Sequence, residues 1–233
     1  MTDFIEGIVG MNAPFNRDPH VFMAPEFAGI VERAIAFFSN SPMREFPPNY
    51  PNMNGRGVYG LYYFGDYPLY TSIAAQNKAT GDRPIYIGKA VSTGRRTGVS
   101  REQEMSIAGR VREHSQSINA ARNLNIEDFH CRFIFLQGTE EDLIEVLESR
   151  LIKKFQPLWN SPYLAGFGNH DPGSGRYNQQ RSAWDTLHPG RAWANRLKEN
   201  QKSKEEILAN AYRFLQGRLP PTLISSDDPP KLL

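Results

Sequence analysis

Two short runs of aromatic and aliphatic residues, each marked by a glycine, constrain this chain more than any other feature. Gly57-Val58-Tyr59 opens the first run, 57–64, and Tyr86-Ile87-Gly88 closes the second, 84–88. In the first run Tyr59, Leu61 and Tyr63 alternate with Val58, Tyr62 and Phe64, the period-two pattern of a strand covered on both faces. The excursion 65–82 between the runs is too long for a tight hairpin turn and has room for a short helix. Connections of that length inside a compact domain are usually functional or disordered. The two runs therefore read as paired strands, each presenting a tyrosine in the same local setting.

The remaining segments frame that pair. Residues 25–40 repeat Phe27, Ile30, Val31, Ala34, Ile35 and Phe38 at helical steps, and Asn40, Ser41 and Pro42 stop the helix. Residues 105–122 form a second helix with Ile107, Val111 and Ile118 on one stripe. Residues 128–136 alternate Phe129, Cys131, Phe133 and Phe135 as a third strand. Residues 139–155 make the clearest helix: Thr139 suits the N-cap, Asp142 the capping-box partner, and Lys153 and Lys154 the negative end of the dipole. This order predicts an α+β fold, a small domain with a central three-stranded antiparallel sheet flanked by helices. The chain divides into an N-terminal arm and helix (1–56), a core (57–160), a Gly-rich loop with a C-terminal helical extension (161–218) and a tail (219–233).

Composition excludes several classes. The 233 residues are 39% hydrophobic and 22% charged, which is ordinary for a globular chain. No apolar run approaches the roughly 18 residues of a membrane span, and the opening Met1-Thr2-Asp3-Phe4 lacks the features of a signal peptide. The single cysteine, Cys131, excludes an internal disulfide and suits a reducing cytoplasm. Net charge is only +2, yet 89–122 holds seven basic residues against three acidic ones. A local basic stripe on a near-neutral chain suits an anionic ligand or, more simply, a solvated helix face.

Two polar residues sit where apolar ones belong. Glu148 falls between Ile144 and Ile152 on an inward stripe, and an ionised carboxylate buried there needs a cation or a donor. An ion pair at the edge of the stripe would satisfy it, as would a metal. His114 falls within the stripe of Ile107, Val111 and Ile118, with Arg110 one turn earlier. An inward histidine is commonly a satisfied core residue, tyrosines in sheets commonly pack, and Asn160 after the last helix could simply cap it.

Taken in order, Tyr59, Tyr86, Arg110, His114, Glu148 and Asn160 resemble the catalytic set of the GIY-YIG nuclease superfamily, with Val58 in place of the first isoleucine. The resemblance covers roughly 57–160. The Arg110-x-x-x-His114 helix, Pro157-Leu158-Trp159-Asn160, Gly166-Phe167-Gly168-Asn169-His170 and His188-Pro189-Gly190-Arg191 resemble the type II restriction endonucleases of this superfamily that cleave CCGCGG. The resemblance implies hydrolysis of double-stranded DNA at a G/C-rich palindrome by a homodimer. It implies Mg²⁺ held by Glu148, with Mn²⁺ able to substitute. Arg110 would bind the scissile phosphate and Tyr59 would act as general base with His114 accepting its proton. Tyr86 would orient water or phosphate, and Asn160 would fix the neighbourhood. A cognate DNA methyltransferase would belong to the same system without being a physical partner. DNA contacts are expected from Lys89, Arg95 and Arg96 on phosphate, and from Arg176, Asn178, Gln180, Arg181 and Arg191 toward bases. Two other readings share the fold: a structure-selective or homing endonuclease, and a catalytically silent DNA-binding module.

Overall fold

The computed structural model of the protein describes residues 15–50, 53–91 and 106–219. Along the chain run α1 (Pro25–Asn40), β1 (Arg44–Glu45), β2 (Gly57–Tyr63), α2 (Thr71–Ala79), β3 (Pro84–Ala90), α3 (Ile107–Ala120), β4 (Phe129–Phe135), α4 (Ile144–Phe155), α5 (Ala183–Leu187) and α6 (Lys204–Leu215). β2 is buried along its whole length and pairs antiparallel with β3 on one side and β4 on the other. The two predicted runs are thus neighbouring strands, with Tyr59 opposite Gly88.

Among the described residues the sheet has four strands in the order β1-β4-β2-β3, where hydrophobic alternation predicts three. The extra strand is only two residues long, and Arg44 and Glu45 are both exposed, so no apolar pattern marks it. A second difference concerns 139–155. Residues Gly138–Leu143 are a 3₁₀-helix, and the α-helix starts only at Ile144. The expected Thr139–Asp142 capping box does not form; the Thr139 hydroxyl donates to the neighbouring Glu140 carboxylate. The predicted helix at 105–122 is α3, capped by Ser106, whose Oγ accepts from the Gly109 amide at 3.1 Å. The excursion 65–82 does hold a helix, α2, whose Asn77 side chain donates to the carbonyls of Tyr63 and Arg83 and ties both ends of the excursion together.

Each face of the sheet carries its own core. On one, Val58, Ile87 and Ile134 meet Val31, Ile35 and Phe38 of α1 and Ile144, Leu147, Leu151 and Ile152 of α4. α1 covers the sheet only with its C-terminal half. Phe27 and Ile30, expected on the inward stripe, remain 41% and 38% exposed, with no element among the described residues over them. On the other face Tyr59, Leu61, Tyr63 and Tyr86 pack against Ile107, Val111 and Ile118 of α3. Trp159, Phe167, Trp184, Leu187, Ile207 and Phe214 complete this second core. Residues 161–218 therefore share the tyrosines' core. No helix among the described residues is long and apolar enough to cross a membrane.

Two buried polar assemblies hold the C-terminal region in place. In the first, the Trp159 indole N–H donates to Tyr70 Oη at 2.9 Å, and Tyr70 shares a short hydrogen bond with His188 Nε2. His188 Nδ1 lies 3.0 Å from Asn123 Oδ1. In the second, Arg191 is 4% exposed and Asp185 1% exposed. The Arg191 guanidinium donates twice to the Asp185 carboxylate, at 2.6 and 2.7 Å, and also to the carbonyls of Gly166, Phe167 and Asn169. Its plane sits over the rings of Trp184 and Trp193, at 4.7 and 4.6 Å from their centroids. One arginine thus shapes the whole 166–170 loop. A buried charge is tolerable only with such complete pairing.

Both assemblies make predictions. Arg191→Met leaves the Asp185 carboxylate buried without its partner and should lower unfolding stability by about 3–5 kcal/mol. Adding Asp185→Leu should recover part of that loss; denaturant titration of the single and double variants measures both. His188 is lowered from 6.5 to about 3, chiefly by burial and secondarily by Lys204. The unfolded chain therefore takes up this proton well before the folded protein does. Stability from this group is complete above pH 6.5 and is lost as pH falls toward about 3. The slope is about 1.4 kcal/mol per pH unit for one such group. Unfolding free energies measured at neutral and mildly acid pH should show this slope, and His188→Gln should reduce it.

Candidate active site

The sequence places a tyrosine near the start of β2 and another in the middle of β3, and antiparallel pairing brings both onto one face. The two rings lie 6.3 Å apart. Gly88 makes room for this. A Cβ built there would lie 2.6 Å from the Tyr59 hydroxyl and 2.9 Å from the Tyr86 ring, so any side chain would displace the phenol. α3 then supplies the polar partners. His114 and Arg110, one helical turn apart, both point from α3 toward the tyrosines.

Tyr59 Oη lies 2.7 Å from His114 Nε2. Burial holds the His114 imidazole well below 6.5, and the charges of Arg110, His170 and Arg191 act in the same direction. A neutral Nε2 is an acceptor, so the phenol donates to it. The Tyr59 phenol is itself held well above 10, first by burial, with Tyr86 and Glu148 adding to the effect. Arg110 opposes both, through its charge and through a hydrogen bond to the phenol oxygen. Tyr59 is therefore poised between an acceptor for its proton and a cation for the resulting phenolate. The Tyr86 ring packs edge-on against His114 at 5.1 Å and Phe167 at 5.0 Å, while Phe167 stacks on His114 at 4.5 Å.

Arg110 Nη1 donates to Glu113 Oε2 at 2.8 Å and lies 2.9 Å from His170 Nε2. Burial disfavours its charge, but Tyr59, Tyr86 and Glu113 outweigh that and keep its pKa raised. Asn160 works from behind. Its Oδ1 accepts from the Ile87 amide at 2.8 Å and its Nδ2 donates to the Ile87 carbonyl at 2.9 Å. Among the described residues β3 is an edge strand, and this amide fills the open backbone slots between Tyr86 and Gly88. Asn160 is not the cap of α4; that helix ends at Phe155, with Gln156 in the left-handed conformation.

Glu148 lies on the α4 side of the sheet and is 2% exposed. Among the described residues Lys89 supplies a cation for it, with Nζ 3.2 Å from Glu148 Oε2 and 3.7 Å from Glu145 Oε1. Lys89, expected on phosphate, has a side chain only 8% exposed and faces this carboxylate, because strand alternation turns it to the α4 side with Ile87. The Glu148 charge makes the smallest contribution to raising the Tyr59 phenol. Among the described residues no three His, Cys, Asp or Glu side chains cluster as a metal cage. A lone carboxylate oxygen donor fits Mg²⁺, which dehydrates reluctantly and keeps several waters.

The expected DNA contacts separate. Arg176, Asn178 and Gln180 are exposed. Arg181 is half-buried and donates Nε to the Ala194 carbonyl at 3.1 Å. Arg191 corrects the expectation: its guanidinium is buried and occupied by Asp185 and loop carbonyls, so it shapes the loop from inside. Arg95 and Arg96 lie outside the described residues. Glu113, Phe167 and His170 are site residues that sequence reasoning did not assign. Glu113 could have been found from its i+3 spacing to Arg110, whereas His170 reaches the site only through the path of the 166–170 loop.

No curated protein sequence matches the chain. The family model described as the Eco29kI GIY-YIG domain matches residues 51–215, a span that begins just before β2 and ends with α6. It includes all six of Tyr59, Tyr86, Arg110, His114, Glu148 and Asn160. The chain belongs to the Eco29kI GIY-YIG family of restriction endonuclease domains, nucleases that act on DNA.

Proposed function

We propose that the protein is a type II restriction endonuclease that hydrolyses double-stranded DNA at a short G/C-rich palindrome, CCGCGG, in a Mg²⁺-dependent reaction. The observation that carries the reading is the convergence of Tyr59, Tyr86, Arg110 and His114 on one buried face, with Glu148 coupled to it through β3. Phosphodiester hydrolysis needs a base for water, a cation for the phosphoryl charge and help for the leaving 3′ oxygen. Tyr59 takes the proton from the attacking water as its own passes to His114 Nε2, 2.7 Å away. His114 can accept because burial keeps it neutral. Arg110 binds the scissile phosphate and steadies the charge that grows on it. Tyr86, whose ring borders both Tyr59 and His114, orients water or phosphate through its hydroxyl. Asn160 keeps Tyr86 in position by clamping Ile87. Glu148 would hold the Mg²⁺, which when bound supplies Lewis-acid stabilisation of a phosphate oxygen and the leaving group. Lys89 pairs with that carboxylate, its Nζ 3.2 Å from Glu148 Oε2.

A palindrome calls for a two-fold pair of active sites, so the working enzyme in this reading is a homodimer. A cognate methyltransferase would protect the host site, and the cytoplasm would house both. Arg176, Asn178, Gln180 and Arg181 are the candidates for reading bases, with Arg95 and Arg96 for phosphate contact.

Two substitutions test the assignment. Glu148→Gln should abolish plasmid cleavage while duplex affinity changes little; retained cleavage would remove Glu148 as metal ligand. Tyr59→Phe removes the proton relay and should slow single-turnover cleavage by about 10²-fold or more, while the protein stays folded and loses no more stability than one buried hydrogen bond, about 1–3 kcal/mol. A near-wild-type rate excludes Tyr59 as the base.

A further inference from the structure

We infer that His170 is a second ligand, beside Arg110, for the phosphate that this site binds, and that it takes up a proton as the phosphate arrives. The inference deepens the nuclease reading and rests on it. Arginine is a donor only. With Arg110 Nη1 2.9 Å from His170 Nε2, that ring nitrogen presents a lone pair and the hydrogen sits on Nδ1. The same Nη1 donates to Glu113 Oε2 at 2.8 Å. Arg110 is thus held by two acceptors at the position where a phosphate oxygen belongs.

His170 is placed for this by its loop, since the Arg191 guanidinium fixes the carbonyls of Gly166, Phe167 and Asn169 just before it. Its side chain is 60% exposed, and among the described residues its ring makes no hydrogen bond except to Arg110. It borders a cavity of about 280 Å³ that reaches Glu113, His114, Phe167 and Trp193. An exposed imidazole with one hydrogen-bond partner among the described residues contributes little to packing, yet it stands at the edge of the phosphate-binding arginine.

The charges around it decide its response. From α3 it faces Arg110, Glu113 and His114; Asp171 follows it in the chain, and Arg191 lies beneath the loop. Glu113 Oε2 is 4.0 Å from the ring. In the free protein partial desolvation lowers the His170 pKa, Glu113 opposes, and Arg110 and Arg191 lower it further, which favours the neutral ring at pH 7. A phosphate seated on Arg110 would meet the Nε2 lone pair, an unfavourable contact between two acceptors. Adding a proton to Nε2 turns the ring into a charged donor and makes the contact a charge-assisted hydrogen bond. The proton comes from solvent and stays on Nε2 while phosphate is bound, so no covalent bond forms or breaks elsewhere.

The test uses the full chain carrying Glu148→Gln, without divalent metal, so that binding is read apart from cleavage. Affinity for a duplex containing CCGCGG is measured by fluorescence anisotropy from mildly acid to mildly alkaline pH. With His170 present, affinity should fall by up to about tenfold per pH unit as pH rises. With His170→Gln or His170→Ala added, that slope should flatten and the affinity at the acid end should drop toward the alkaline value. Equal slopes with and without His170 overturn the assignment. Wild-type cleavage of the same duplex with Mg²⁺ is assayed in parallel. Cleavage together with equal slopes sinks His170 alone, whereas no cleavage sinks the nuclease reading on which it stands.

Discussion

A phenol and an imidazole share one hydrogen bond in a place with almost no water, and the rest of the molecule is arranged to keep it there. Tyr59 and His114 are 0% and 2% exposed, and their polar atoms are 2.7 Å apart. Buried polar groups are tolerable only when paired, so each fixes the other's rotamer. Burial also decides the protonation states. It keeps the imidazole neutral and the phenol protonated, so the pair shares one hydrogen-bonded proton and has no net charge until a cation and an anion are brought beside it. Arg110 is the cation already present. The scissile phosphate would bring the anion.

The sheet sets the distances. Tyr59 faces Gly88 across β2 and β3, and the missing side chain at Gly88 is what lets the phenol lie over the neighbouring strand. Asn160 closes the outer edge of that strand with two backbone hydrogen bonds to Ile87. One face of β3 then holds Tyr86, and the other holds Lys89 against Glu148. The strand acts as a thin partition with the hydrogen-bonded Tyr59–His114 pair on one side and the buried carboxylate on the other. On the tyrosine side, Arg191 performs for a loop what the hydrogen-bond ladder performs for a strand. It satisfies three carbonyls at once and brings Phe167 and His170 to the site.

Much of this was legible in the sequence because it obeys local periodicity. Strand alternation placed Tyr59 and Val58 on opposite faces, and helical spacing turned His114 and Glu148 inward. Glu148 announced its need for a cation by sitting between isoleucines. What was hidden depends on contacts distant in sequence. Lys89 reads as a surface base after a glycine, and only the packing of α4 on β3 shows it to be the carboxylate's counter-ion. Arg191 reads as a loop arginine suited to guanine, and only its burial between Trp184 and Trp193 reveals a structural role. β1 escaped because two exposed charged residues have no apolar rhythm. Thr139 and Asp142 offer cap chemistry that the 3₁₀ turn does not use, so the pattern suggests an earlier start for α4 than the structure has.

The measurement that tests this account most directly is a digest of a sequenced plasmid with the purified protein, with and without Mg²⁺, followed by sequencing of the fragment ends. The account predicts an intact plasmid without the metal and, with it, uniform ends that all map to CCGCGG. Cleavage without Mg²⁺, ends scattered over unrelated sequences, or a plasmid left whole under both conditions would contradict it.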